Sequence, residues 1–147
     1  MRGSWPEAEF PNLHEQSYKV TSPSTNEYNC IAWAAGDHET WWWPDSPEVG
    51  YGYWPPNVPR TETVLAFLLA YSTLGYAKCN DGSLEQGFEK IALYVGADDI
   101  PTHAARQLPD GRWTSKLGMF EDIVHTNLEC LHGDSYGRVS VYLKRPI

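Results

Sequence analysis

Residues 90–95, Lys-Ile-Ala-Leu-Tyr-Val, and residues 102–117, Thr-His-Ala-Ala-Arg-Gln-Leu-Pro-Asp-Gly-Arg-Trp-Thr-Ser-Lys-Leu, decide the fold of this chain. Pro109-Asp110-Gly111 is a tight turn. Proline presets φ for the first central position, aspartate suits the second, and glycine accepts a left-handed backbone. The segments on either side, Thr102–Leu108 and Arg112–Leu117, then read as the arms of a β-hairpin, with Lys90–Val95 a strand before them. Placing Leu108 opposite Arg112 sets Ala105 against Ser115 and His103 against Leu117. Because side chains alternate between the faces of a strand, His103, Ala105, Gln107, Trp113 and Ser115 share one face. A shift of one residue would exchange Ser115 for Lys116 or Thr114.

Working outward, Val139, Val141 and Leu143 alternate and make a last strand. Upstream, Val64, Phe67, Leu68, Tyr71 and Leu74 recur at helical spacing, so residues 61–74 read as a helix with Thr61 as N-cap and Gly75 as its stop. Cys30-Ile31-Ala32-Trp33-Ala34-Ala35 is a short helix-prone run ending at Gly36, with Asn29 or Asn26 near its cap. Residues 119–132 read as holding a short helix around Glu121–His125. Residues 1–25 read as an arm. Residues 36–60, rich in Trp and Pro, read as a long loop insertion of the kind that is often functional. The expected fold class is α+β, with N-terminal helices packed on a small antiparallel sheet, all within one domain spanning 1–147.

Composition excludes several classes of function. The net charge is −8 and the basic residues never form a run, which disfavours binding to phosphate backbones. The longest apolar stretch, Val64–Ala70, is too short for insertion into a membrane. Three cysteines, Cys30, Cys79 and Cys130, leave one unpaired in any disulfide scheme, and no CxxC spacing occurs. The first residues hold no apolar leader region, so the expectation is cytoplasmic synthesis without a signal peptide. There is no glycine-rich phosphate loop and no GxSxG elbow.

A thiol is a nucleophile only as thiolate, and a neighbouring imidazole is one route to it. Cys30, in the first turn of its helix, and His103, near the start of its strand beyond Asp98-Asp99-Ile100-Pro101, are the residues whose types and places suit such a pair. Ser115, diagonal to His103 on the shared face, is the candidate to orient the imidazole. The Cys30 backbone N–H, with the Asn29 or Asn26 side chain, would hold an oxyanion. Trp43 and Trp54 of the loop, with Gln107 and Trp113 on the histidine face, are candidates to line a substrate groove.

Tyr28-Asn29-Cys30-Ile31-Ala32-Trp33-Ala34 resembles the nucleophile helix of papain-like cysteine hydrolases, and Thr102-His103-Ala104-Ala105 resembles their histidine strand. The order of elements is most similar to the NlpC-like amidases and peptidases, over roughly residues 26–118. The resemblance implies a papain-like fold and hydrolysis of an amide bond in a cell-wall peptide or a protein, with no cofactor. It also implies a peptide or protein substrate, an inhibitor or immunity protein as partner where the chain acts as a toxin, and export by a specialised secretion system. The long Trp-rich insertion departs from that family's pattern.

Two rival readings use the same residues differently. In one, the chain is a non-catalytic binding module whose site is the Trp-rich loop, and Cys30 is a buried core residue. In the other, the Cys30–His103 pair serves a transferase or deamidase. A metal is the weakest option. His125, Cys130 and His132, with Asp134, have ligand chemistry suited to zinc but lack paired short spacings, as does Asp37-His38-Glu39. Cys79 and Cys130 read as structural.

Overall fold

The computed structural model describes residues 9–13, 18–45, 52–117 and 121–147. The hairpin forms as its turn demands. Leu108 N donates to Arg112 O at 2.7 Å and Gly111, at φ 92°, donates to Leu108 O at 2.9 Å. Its arms are β4 (Pro101–Gln107) and β5 (Trp113–Lys116). Gln107 pairs with Trp113 and Arg106 with Thr114, the register expected from the turn.

Around this hairpin the chain builds a seven-stranded, wholly antiparallel sheet. The other strands are β1 (Tyr18–Ser22), β2 (Ala77–Cys79), β3 (Phe88–Val95), β6 (Asp122–His125) and β7 (Arg138–Pro146). Their order across the sheet is β1-β6-β5-β4-β3-β7-β2. This corrects the expected fold class. The sheet is the body of the described structure, and the helical elements packed on it include α1 (Cys30–Ala34), α2 (Val64–Ser72) and 3₁₀ turns at Ala97–Asp99 and Glu129–Leu131.

Three of the strands lie where the sequence suggested something else. β1 runs through the expected arm. The three-residue β2 follows the stop of α2. β6 replaces the expected helix around Glu121–His125, because Ile123 and Val124 are β-branched and pair with Ser115 and Thr114 of β5.

Each face of the sheet carries its own core. On one face Ile91, Leu93, Ala104, Val141 and Leu143 pack against Ile31 of α1 and Phe67 and Tyr71 of α2, with Cys30 in the same cluster. On the other, Ala92, Tyr94, Ala105, Trp113 and Ile123 pack against Phe10, Leu13, Leu128 and Leu131. β3, buried on both sides from Lys90 to Val95, therefore reads as a nearly continuous apolar run.

Asn29 caps α1 by accepting from Ala32 N. The helix ends with Gly36 at φ 87° and Asp37 N donating back to Ala32 O. Thr63, not Thr61, caps α2. The aromatic loop mostly closes over the helix-side core. Trp42 and Trp54 are buried there, their indoles donating to Asp37 and to Pro59 O.

Candidate active site

Cys30 stands where β4 and β5 part. The ladder between these strands covers only Arg106–Gln107 and Trp113–Thr114, so the first half of β4 presents an edge unpaired by β5. The hairpin register points the Thr102 carbonyl and the Ala104 N–H toward that edge. The Cys30 thiol rests against both: Sγ lies 3.9 Å from Thr102 O, and the N–H groups of Ala104, Ile31 and Cys30 favour a charge on the sulfur. The Lys116 ammonium, bonded to Thr25 O at 2.7 Å, favours it as well. Burial outweighs all of these and pushes the thiol up to about 11, so sulfur keeps its proton at neutral pH.

His103 leaves β4 toward the opposite side of the sheet, with Ala105. Its ring is fully buried, stacked on Tyr136 at 4.1 Å between centroids and 8° between planes, and set edge-on to Tyr94. No hydrogen bond joins His103 to Cys30. The β4 backbone lies between the thiol, on the helix side, and the imidazole. Cys30 and His103 are thus near one another along the same strand edge but are not engaged.

His103 and Ser115, by contrast, are brought together, with Nε2 3.0 Å from Ser115 Oγ. Ser115 Oγ also lies 2.8 Å from His125 Nε2, and His125 Nδ1 lies 2.8 Å from the Asn127 carbonyl oxygen. A carbonyl only accepts, so the bond to Asn127 O is donated by His125 Nδ1. His103 Nδ1 is buried and without a hydrogen-bond partner among the described residues. Burial, then the neighbouring His125, holds His103 well below the ordinary imidazole value. Burial likewise holds His125 down to about 4, although its bond to Asn127 acts the other way. Both rings are neutral at pH 7.

The remaining candidate residues fall into several settings. The Asn29 side chain is committed to Ala32 N and to the N–H and carbonyl of Trp42, and Asn26 is exposed. Trp54 and Trp113 are core residues. Gln107 is buried and donates to Gly82 O at 2.8 Å. Trp43 is half-buried, its ring edge-on to Phe67 and its indole directed at Glu62.

Cys130 sits beside the histidine chain, its sulfur 3.1 Å from Asn127 O and 3.6 Å from His125 Nδ1. Burial, then Glu129, raises that thiol to about 12. His132 turns to accept from Val139 N, and no cluster of three metal-ligating side chains exists among the described residues. Sequence reasoning weighed His125 only as a metal ligand, not as a partner of Ser115, and missed Asn127 and Tyr136. That partnership was legible only through β6, which places His125 opposite Trp113, on the face of Ser115.

Residues 19–144 match the profile of a domain of unknown function, DUF7689. No curated protein and no solved structure matches the chain.

Proposed function

Starting from a chain that belongs to the DUF7689 family, we propose that it is a cysteine-dependent hydrolase of an amide bond, with Cys30 as nucleophile and His103 as base. The observation that carries this reading is the unpartnered Nδ1 of His103. One imidazole nitrogen is tied through Ser115 and His125 to a backbone carbonyl, and the other is buried without a partner among the described residues. Buried polar groups are nearly always satisfied, and a catalytic role is one reason for an exception; Gln107 Oε1 and Asp122 Oδ1 are the others among the described residues.

In the reaction, the Cys30 S–H proton passes to His103 Nδ1 as sulfur attacks the amide carbonyl and the C–S bond forms. Backbone N–H groups at the sulfur, those of Ala104 and Cys30, would receive the negative charge on oxygen. The C–N bond then breaks and the amine leaves with the proton from Nδ1. Water next gives a proton to Nδ1 and adds to the thioester. The C–S bond breaks and sulfur recovers its proton. An amine in place of water would make the same pair a transferase. This chemistry requires the thiol to leave the Thr102 carbonyl and meet the imidazole. In the resting arrangement thiol and imidazole are both neutral, the sulfur resting on Thr102 O.

The test is iodoacetamide alkylation of Cys30, mapped by peptide mass spectrometry from pH 6 to 9, in wild type and in His103→Ala. A rate that falls when His103 is removed supports the pair. Equal rates reject it.

A binding module remains the second reading, favoured by α2. Its nine residues include no charged side chain, yet Leu65 is 63 % exposed and Leu69 38 %. In the aromatic loop Trp42 and Trp54 are buried, whereas Trp43 is half-buried and Tyr53 exposed.

A further inference from the structure

The proposed base has a partner beyond Ser115. A serine hydroxyl can donate to an imidazole or accept from one, so Ser115 alone does not decide which nitrogen of His103 carries the proton. The decision is made further along. The Asn127 carbonyl fixes the proton of His125 on Nδ1 at 2.8 Å. The bare Nε2 of His125 then draws the Ser115 hydroxyl proton at 2.8 Å, and the remaining Ser115 lone pair takes Nε2–H of His103 at 3.0 Å. All three side chains are fully buried, so water does not compete for these bonds.

We infer that His125 is a positioning residue that sets the tautomer of His103 through Ser115, directing the lone pair of His103 to Nδ1. Reversing the chain would set the bare Nδ1 of His125 against the Asn127 oxygen, two acceptors in contact. Protonating His125 to avoid that clash is opposed by its burial. Among the described residues no donor reaches Nδ1 of His103. The titratable groups against the rings include Tyr94, whose hydroxyl is spent on Leu128 O, Tyr136, which stacks on His103, and Cys130, whose sulfur faces Asn127. Cys30 lies across β4 with its sulfur on Thr102 O. The catalytic meaning of this arrangement rests on His103 being the base, but the arrangement itself does not.

The experiment is long-range ¹H–¹⁵N correlation of the full chain labelled with ¹⁵N-histidine at pH 7, in wild type, His125→Phe, Ser115→Ala and Cys30→Ser. In wild type, His103 should show one protonated Nε2 and one imine-type Nδ1, with His125 the reverse. His125→Phe and Ser115→Ala should each shift His103 to averaged nitrogen positions of mixed tautomers, and Cys30→Ser should leave it unchanged. Ser115→Ala, a small truncation, serves if His125→Phe does not fold. His103 found as the Nδ1–H form in wild type overturns the inference. So does an unaltered Nε2–H form in Ser115→Ala. Failure of the hydrolase reading appears separately, as Cys30 alkylation that ignores His103.

Discussion

Gly137 lies so close to Val95 that a Cβ built on it would stand 1.9 Å from the Val95 carbonyl oxygen. With φ at 77°, the position is closed to other residues on both counts. The loop from Gly133 to Gly137 is held by bonds exchanged between its two glycines, and Thr102 Oγ1 donates to Tyr136 O at 2.5 Å. Gly137 is therefore what lets Tyr136 lie flat on His103.

Gly137→Ala should cost about 3 kcal/mol or more of stability in urea unfolding and move the His103 ring-proton shifts as the stack is lost. Gly133→Ala, whose added carbon meets only Pro11 Cδ at 3.7 Å, escapes the clash but not the strain of φ 152°, and should cost about 1–3 kcal/mol.

Acid should destabilise the protein through its buried histidines. His125 is held at about 4 and His103 well below 6.5, whereas both regain ordinary values on unfolding. Between those limits the unfolded chain takes up protons that the folded one refuses, so stability falls as pH drops from about 6.5 toward 4. Each such group contributes a slope of about 1.4 kcal/mol per pH unit. His125→Phe should flatten urea-unfolding stability against pH by about one proton. An unchanged slope would show that His125 is protonated in the folded state.

Lys90 is 2 % exposed, its ammonium bound by the carbonyl and carboxylate of Asp81 and by Glu85. Asp81 is largely exposed, so Asp81→Asn should barely move the unfolding midpoint. Lys90→Ala removes the buried stem that the Asn80–Glu85 loop folds around and should cost about 2 kcal/mol or more. Thermal unfolding of both variants separates the two effects.

α2 offers a contrast within two residues. Phe67 is fully buried against Trp43 and Trp54, and Phe67→Ala should cost about 3–5 kcal/mol in urea unfolding. Leu65→Ser should stay within about 0.5 kcal/mol for an isolated chain. A larger loss at Leu65 that grows with protein concentration would mean that the leucine is covered by another copy.

The hairpin was legible because its information is local. Pro109-Asp110-Gly111 fixes the turn, and period-two alternation carries the register to His103 and Ser115, whose contact is present at 3.0 Å. The cap and stop of α1 were legible for the same reason. β6 was hidden because four residues are too few to display a period and Glu121-Asp122 resembles the acidic first turn of a helix. The reading of Cys30 beside His103 came from the order of elements. That order brings a helix start to a strand edge but does not say which side of the strand the sulfur reaches. The burial of Trp54 and Trp113 is a tertiary fact, set by where the loop and sheet close, and composition alone carries no sign of it.

Asn29 presents one side-chain amide to two parts of the chain at once. Its oxygen accepts from Ala32 N and from Trp42 N, and its nitrogen donates to Trp42 O at 2.7 Å. The aromatic loop and the first turn that carries Cys30 are latched by the same group. Neither can release that amide without loosening the other, so the amide protons of Ala32 and Trp42 should exchange with solvent through a shared opening. A molecule that pries up the loop at Trp42 would be felt at the sulfur before touching it.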